Sequence, residues 1–188
     1  MKLNRRLFLG SSAAVAGALA APMVLAQGKP RVVVVGGGAG GATAARYIAK
    51  DSDGAVDVTL VEPSRAYYTC FFSNLYLGGF RDMDSLGHTY GNLASSYGIN
   101  VVHDWAVGVD RDAKTVSLAG GAVLPYDRLV ISPGIDFVPG SVPGWSVEVQ
   151  NRMPHAYKAG SQTELLRAQV LAMPLSPLRA TFHLMFLL

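Results

Sequence analysis

The first strong hydrophobic pattern in the chain is RVVVV at residues 31–35, which is followed at once by the glycine-rich stretch GGGAGG at 36–41 and by ATAARYIAK. This order predicts a strand, a tight turn and a helix. A second apolar segment, VDVTLVE, predicts another strand that ends at Glu62. A strand, a helix and a second strand in this order are typical of an α/β fold with a parallel sheet.

The later part of the chain shows strand patterns without long helices between them. NVVHDWAVGVD at 100–110 alternates and predicts one strand. TVSLAGGAVLPYDRLVIS predicts short strands around the turn at 119–121, and YDRLVISPG at 126–134 predicts an apolar strand that ends in a Pro-Gly turn. Together these segments predict a β-meander followed by an apolar strand. This order resembles a region of the two-dinucleotide-binding flavoproteins, and the resemblance implies that the strand returns the chain to the first domain.

Two further segments have helical patterns. One covers about 82–97 and is stopped by Gly98, and the other covers about 162–172. Ser161 and Glu164 are spaced as a capping box at the start of the second helix.

The glycine-rich turn fits the pattern G-x-G-x-x-G, with Gly36, Gly38 and Gly41 at its three glycine positions. The first glycine permits the sharp turn, the second lets a pyrophosphate approach the backbone, and the third lets the helix pack closely on the strand. Ala39 and Gly40 lie between them, at the helix N-terminus where free N–H groups favour negative charge. The turn therefore predicts a dinucleotide site.

Glu62 supports this prediction because it lies 21 residues beyond Gly41, at the tip of the second predicted strand. A carboxylate at this place can accept hydrogen bonds from ribose hydroxyls, and it disfavours a 2′-phosphate. The alternative is a glycine-rich turn beside a solvated carboxylate with no ligand. The fingerprint alone does not separate FAD from NAD.

The N-terminal segment has the pattern of an export signal. Lys2, Arg5 and Arg6 form a basic head, an apolar Ala/Gly-rich run follows, and Val24-Leu25-Ala26 is a small-residue cleavage pattern. The paired arginines predict a twin-arginine signal at 1–26 and a periplasmic protein. An uncleaved membrane anchor is the alternative, and no stable membrane span is expected in the mature chain.

The net charge of the chain belongs to the predicted signal segment. The whole chain has 16 basic and 13 acidic residues, and residues 1–26 hold three of the basic ones and none of the acidic ones. The mature chain is therefore formally neutral, which gives no support to nucleic-acid binding.

Cys70 is the single cysteine of the chain. It cannot form an internal disulfide, and a metal site built on cysteines is excluded for the same reason. Either it is a buried thiol that packs as a small apolar residue, or it has a chemical role. His88, His103, His155 and His183 show no metal-ligand spacing. The role of His155 stays open, and a structural hydrogen bond is favoured over acid/base work.

Five stretches of the chain together resemble the flavoprotein subunit of flavocytochrome c sulfide dehydrogenase. They are VVVVGGGAGGATAARYI, VTLVEPSRAYYTCFFSN, INVVHDWAVGVD, YDRLVISPGI and PHAYKAGSQTELLR. The resemblance runs from about residue 30 to 173. It implies an FAD cofactor joined to Cys70 as a thioether, and it places Ala106 and Gly134 in the FAD site with the glycine turn. It also implies sulfide as substrate and a c-type cytochrome subunit as partner. Sulfide:quinone oxidoreductases share the outline, but the YYTC element points away from them.

These observations predict an α/β fold, a Rossmann-like FAD-binding domain with a β-meander that is incomplete at the C-terminus. Residues 27–173 form the predicted first FAD segment. Residues 174–188 depart from the family pattern and are interpreted as a truncated or frameshifted terminus. The alternatives are a sulfide:quinone oxidoreductase-like flavoprotein, a non-catalytic FAD-binding fragment and an NAD-binding module of a dehydrogenase. No catalytic residue is assigned.

Overall fold

A four-stranded parallel sheet forms the centre of the computed structural model, which describes residues 28–138 and 140–173. Its strands are β1 (Arg31–Val35), β2 (Asp57–Val61), β5 (Asn100–Val102) and β9 (Arg128–Ile131). Their order across the sheet is β5-β2-β1-β9. All three pairings are parallel, and β1 has β2 on one side and β9 on the other. The return of the last strand to the side of β1 confirms the predicted course of the chain.

Two smaller sheets accompany the parallel one. A separate antiparallel pair joins β3 (Ala66–Tyr68) to β4 (Gly87–Thr89). The antiparallel meander consists of β6 (Ala106–Asp110), β7 (Thr115–Leu118) and β8 (Val123–Pro125), in this order. The predicted α/β class and the β-meander are therefore confirmed.

Four α-helices lie in the described part of the chain: α1 (Ala39–Asp51), α2 (Ser73–Leu77), α3 (Gly91–Tyr97) and α4 (Ser161–Ala172). Short 3₁₀ turns occur at Cys70–Phe72, Asp84–Leu86 and Glu148–Asn151. The turn at Cys70–Phe72 leads directly into α2, so the single cysteine lies at the start of a continuous helical segment.

The core has a layer on each face of the parallel sheet. Val32 and Val34 of β1 pack with Ala45 of α1 on one face, whereas Val33 packs with Val116 and Leu118 of the meander on the other. Successive strand residues point to opposite faces, so an unbroken valine run suits a strand that is covered on both sides. Each such valine stabilises the fold by about 1.5–3 kcal/mol through burial.

A third cluster joins α4 to the segment that follows Cys70. Tyr76 and Leu77 of α2 are buried with Leu86, and Leu166 of α4 packs against them. This contact ties together parts of the chain that are about 90 residues apart in sequence. It therefore holds residues 69–77, called the Cys70 segment below, against α4. No local sequence pattern predicts this contact.

The predicted helix at 82–97 is wrong in its first half. Only Gly91–Tyr97 is α-helical; Asp84–Leu86 is a single 3₁₀ turn, and residues 87–89 form β4. The reason is that Gly87 takes an extended conformation and pairs with Tyr68, while the Asp82 carboxylate accepts a hydrogen bond from the Ser85 N–H and closes a turn. Gly98, at φ +65°, ends α3 as predicted.

The single strand predicted at 100–110 is also wrong, because the segment serves two sheets. Its first part is β5, whose ladder with β2 ends where Val102 pairs with Val61. A hydrogen bond from the Asp104 N–H to the Val102 carbonyl turns the chain, and β6 then starts the meander at Ala106. Local alternation cannot show that a chain changes sheet.

The capping box predicted for the last helix does not form. The helix starts at Ser161 itself, and Gly160, at φ +137°, occupies the cap position with no side-chain hydrogen bond. The Gly160 carbonyl accepts the N–H groups of Thr163 and Glu164. Ser161 is thus inside the helix, where its hydroxyl cannot act as a cap.

The predicted signal at 1–26 and the atypical tail at 174–188 lie outside the described residues. Within residues 28–138 and 140–173, none of the helices has both the length and the apolar character needed to cross a membrane.

Candidate cofactor site

The glycine-rich turn after β1 is a tightly packed loop. Gly36 has φ +98°, and a Cβ added there would overlap the Ser132 carbonyl. A Cβ added to Gly41 would overlap the Gly36 carbonyl in the same way. The Gly36 N–H also donates to the Val61 carbonyl at 2.9 Å. The fold itself therefore requires glycine at these two positions.

Gly38 differs from its neighbours because the fold leaves space beside it. An added Cβ would lie 3.7 Å from Tyr67 and would meet no other atom within 4 Å. Gly38 is also the residue just before α1, whose first turn carries no acidic side chain and no side-chain cap. Free N–H groups and the helix dipole thus face an open approach, which fits a pyrophosphate. Gly40 is similarly open, with only the Ser132 hydroxyl at 3.9 Å.

Gly37 is clamped by two side chains that come from distant parts of the sequence. Its N–H donates to Glu62 Oε2 at 2.7 Å, and the Tyr90 hydroxyl donates to its carbonyl at 3.0 Å. A Cβ on Gly37 would lie 2.7 Å from both Glu62 Cγ and Tyr90 Oη. Neither Gly37 nor Tyr90 was predicted as a site residue from the sequence. Gly37 is the middle glycine of the GGG run, and this position was the one sequence signal that could have indicated it.

Glu62 stabilises the glycine-rich turn through hydrogen bonds. Its contact with ribose stays a prediction. Its Oε2 accepts from Gly37, and its Oε1 accepts from the Ser64 N–H at 2.9 Å. Each carboxylate oxygen has a second lone pair, so the group keeps acceptor capacity for a ribose hydroxyl. Burial, with smaller effects from Glu62 and Tyr67, raises the pKa of Tyr90 well above its ordinary value. Tyr90 therefore stays a neutral donor to Gly37.

The Tyr90 hydroxyl is expected to stabilise the turn measurably. Tyr90→Phe leaves the buried Gly37 carbonyl without its donor, so we expect a loss of about 1–2 kcal/mol in the free energy of unfolding. Urea denaturation measures this loss. Tyr97→Phe is a matched control, because it removes a hydroxyl that meets exposed Arg46 at the other end of α3. A loss in Tyr90→Phe no larger than in Tyr97→Phe would contradict the clamp.

A cavity of about 510 Å³ begins at this turn and ends at the Cys70 segment. Gly37, Gly38 and Ala39 line one part of it, and Thr69 and Phe71 line another. Cys70 lies between these last two residues and is half-buried and free. The Thr69 side chain accepts the Phe71 N–H at 3.4 Å and caps the turn that carries the cysteine. The glycine turn and the cysteine segment thus border the same cavity.

The two remaining predicted site residues, Gly134 and Ala106, lie in different parts of the fold. Gly134, at φ +78°, follows Ser132 and Pro133, whose backbone packs against Gly36. Ala106 is half-buried at the first position of β6, beyond the end of the parallel ladder, where it pairs with Leu118. Their contact with a cofactor stays a prediction, but the structure brings Gly134 close to the glycine turn.

The Nδ1 atom of His155 does not make the structural hydrogen bond that the sequence favours for this residue. Within the described residues this atom is buried and has no hydrogen-bond partner. The imidazole packs on Phe137, with ring centroids 4.5 Å apart. Burial and then nearby Lys158 lower the pKa of His155, and Asp136 opposes them more weakly. Aromatic packing thus positions the ring, and the role of His155 stays open.

The lowered pKa of His155 gives stability a defined pH dependence. The unfolded imidazole, with a pKa of about 6.5, takes up a proton more readily than the folded one. Stability is therefore expected to fall as the pH drops below about 6.5, until the folded pKa is passed. NMR titration of His155 measures the folded pKa, and His155→Phe should flatten this part of the curve of unfolding free energy against pH. A folded pKa at or above 6.5 would contradict the assignment.

Among the residues that the structure describes, no group of three or more His, Cys, Asp or Glu side chains is arranged to hold a metal ion. The cavity is lined by the glycines of the turn, by aromatic rings and by polar side chains, which include Arg46, His88 and Asn92. Such a lining suits a long cofactor with an anionic middle and a planar end.

The sequence of residues 30–170 matches the profile of the pyridine nucleotide-disulphide oxidoreductase family, so the chain belongs to this family. It is also similar to the sulfide dehydrogenase [flavocytochrome c] flavoprotein chain of Chlorobaculum thiosulfatiphilum. That identity is 60% over 47 residues, which are 25% of this chain and 96% of the relative's sequence. The resemblance seen in the sequence is therefore confirmed over a short stretch.

A sulfide-quinone reductase of Aquifex aeolicus is 32% identical over 112 residues, which are 58% of this chain and 25% of that protein. The crystal structure of the sulfide:quinone oxidoreductase of Aquifex aeolicus matches with a TM-score of 0.59 and 25% identity, over 77% of this chain and 33% of that one. The chain thus spans about a quarter to a third of the length of these longer relatives.

Proposed function

We propose that the protein is an FAD-dependent oxidoreductase that oxidises sulfide and passes the electrons to a c-type cytochrome. The observation that carries the proposal is the cavity that joins the glycine turn to the segment of Cys70. The similarity to a flavoprotein chain of a flavocytochrome c supports the choice of substrate and acceptor.

The residues of the site fit FAD in a definite order. The N–H groups that begin α1 would hold the pyrophosphate, where Gly38 leaves the approach open. Glu62 would accept hydrogen bonds from the ribose of the adenosine half. Cys70 follows eight residues later, and eight extended residues can reach roughly 25 Å. This reach suffices for a contact with the flavin end of the same molecule.

The flavin, when bound, takes up an electron pair and gives up electrons singly. The residues of this chain have the other tasks. Tyr67, Phe71 and Phe72 line the cavity and would exclude water from a planar ring. The Tyr90 hydroxyl and the Glu62 carboxylate keep the Gly37 peptide fixed, so the turn is preorganised before any ligand arrives.

Cys70 would hold the flavin covalently. The thioether would join Sγ to the 8α-methyl carbon of the ring, with loss of the S–H bond and of one C–H bond. The two electrons and two protons would leave to the cytochrome or quinone acceptor, so the product would be lighter than the sum of its parts by two hydrogens. Such a bond would also protect a single thiol in an oxidising compartment.

A quinone is the second candidate acceptor. It is favoured by the similarity to sulfide-quinone reductase, which covers more of this chain than the match to the flavocytochrome c chain does. Cytochrome c and a soluble quinone can be offered separately to the same reduced protein. Faster reoxidation by quinone than by cytochrome c would favour this second candidate.

The proposal is tested by the visible spectrum of the purified chain. We expect the two absorption bands of oxidised flavin, and we expect added sulfide to bleach them without oxygen faster than it bleaches free FAD at equal concentration. Cytochrome c added afterwards should restore the bands. A chain that retains no flavin would contradict the cofactor, and bound flavin bleached no faster than free FAD would contradict the substrate and favour a non-catalytic FAD-binding fragment.

We also propose export by the twin-arginine route, on the pattern of residues 1–26. Replacing Arg5 and Arg6 by lysine keeps the charge but removes the paired guanidinium groups. The precursor is then expected to stay in the cytoplasm, whereas the native chain is processed after Ala26 and recovered from the periplasm. Fractionation with immunoblotting measures this difference. Equal periplasmic yields of the two forms would contradict the proposal.

A further inference from the structure

A cleft outside the cofactor cavity contains two arginines from distant parts of the chain. Its volume is about 460 Å³, and it is lined by Gly79, Phe80, Arg81, Asp82, Ser85 and Arg167. Arg81 follows α2, and Arg167 lies in α4. The packing of α2 on α4 therefore places two guanidinium groups in one cleft.

Each guanidinium is held over an aromatic ring of the Cys70 segment. Arg81 Cζ lies 4.6 Å from the centroid of Phe72, and Arg167 Cζ lies 4.8 Å from the centroid of Tyr76. Stacking leaves the N–H edges of a planar guanidinium available for acceptors. It also restricts the side chain beforehand, so less conformational entropy is lost when a ligand binds.

Neither arginine has an acidic partner within the described residues. The ion pairs there join Arg31 to Asp127 and Lys158 to Asp136. Arg167 Nε is moreover buried and has no hydrogen-bond acceptor in this part of the chain. A buried charged donor without an acceptor is unfavourable, which indicates that a ligand supplies one.

The acid in the cleft is engaged with its own turn. Asp82 Oδ1 accepts the Ser85 N–H at 3.0 Å, and the Ser85 hydroxyl donates to the Asp82 carbonyl at 2.8 Å. Gly79 opens the space next to Arg167, because even an added Cβ would lie 3.5 Å from Nη2. The cleft thus has two positive groups, one negative group and room beside the half-buried Arg167 side chain.

We propose that this cleft binds a small oxyanion with two or more acceptor oxygens, such as sulfate, thiosulfate or phosphate. Guanidinium groups recognise such anions through paired N–H donors, and two arginines provide donors from two directions. Phe72 lines the cofactor cavity and also supports Arg81. The Phe72 ring would therefore lie between the anion-binding cleft and the cofactor cavity, and the anion would not occupy that cavity.

The test is an NMR titration of the full chain, read at the arginine Nε–Hε signals. Sulfate, thiosulfate and phosphate are added separately, with chloride at equal ionic strength as the control anion. We expect the Arg167 signal to shift and saturate with at least one oxyanion and to change little with chloride. Equal responses to chloride and to all three oxyanions would overturn the proposal.

Glutamine variants of the two arginines test whether the oxyanion binds in this cleft. Arg81→Gln and Arg167→Gln should each weaken oxyanion binding by about tenfold, since each removes charge-assisted donors. Arg111→Gln carries the same charge change on the exposed turn between β6 and β7 and should bind as the native chain does. Arg81 is itself exposed, so its variant stays informative if Arg167→Gln fails to fold. An affinity unchanged in Arg81→Gln, or lowered equally in Arg111→Gln, would overturn the proposal.

Discussion

A Gly38→Val chain is expected to fold with nearly native stability and to lose FAD binding by about 100-fold or more, which is about 3 kcal/mol. The residue has φ −68° and ψ −171°, an extended conformation that valine adopts without strain. A Cβ there meets only Tyr67 at 3.7 Å, so the protein tolerates it. The valine methyl groups would instead occupy the approach to the N-terminus of α1, where the pyrophosphate is expected.

Gly41→Ala is the control that separates folding from binding. Its Cβ would overlap the Gly36 carbonyl, so the helix would have to move away from the strand. We expect a loss of about 3 kcal/mol in the free energy of unfolding. Urea denaturation measures stability, and flavin absorbance after gel filtration measures binding. A Gly38→Val chain with native flavin content would refute the assignment of the pyrophosphate site. A Gly38→Val chain destabilised as much as Gly41→Ala would show that Gly38, like Gly41, is required for folding.

Cys70→Ser is expected to convert a covalent flavin into a dissociable one. After acid precipitation the native chain should stay yellow, and its mass should exceed that of the apoprotein by one FAD minus two hydrogens. The serine variant should lose its flavin to the supernatant. The effect is all-or-none because a thioether survives denaturation, whereas the hydrogen bonds of the glycine turn do not.

Two observations make this result specific. Cys70 is half-buried between Thr69 and Phe71, which both line the cavity, so replacement by serine changes little in the fold. Apoprotein whose thiol is alkylated before FAD is added gives a second control, since it keeps Cys70 and blocks only the nucleophilic thiolate. Equal release of flavin from native and serine chains would show that no bond forms, and Cys70 would then be a core thiol.

Much of the parallel sheet could be predicted from the sequence because its signals are local. The valine run at 31–35 and the alternation that ends at Glu62 each specify a strand within a few residues. The errors occurred where a segment changes partner. Residues 100–110 divide between two sheets, and residues 87–89 pair with β3 although their spacing is helical.

The candidate site was predictable only in part. The turn from Gly36 to Gly41 is a contiguous motif, and the structure explains two of its glycines by overlap and one by open space. Tyr90 lies 53 residues from the Gly37 carbonyl that it binds. The residues next to Tyr90 in the sequence do not show this contact, because the hydroxyl of a tyrosine in the same local sequence could bind elsewhere or not at all.

The sequence by itself determined the strand–turn–helix unit and the place of the single cysteine, since periodicity and glycine spacing act within a few residues of each position. Only the tertiary structure decided that Glu62 and Tyr90 clamp one peptide, that the glycine turn and the Cys70 segment border one cavity, and that Arg81 and Arg167 share a cleft. These arrangements depend on how the helices and sheets pack, because burial of apolar side chains brings distant segments together and sets which polar groups then meet.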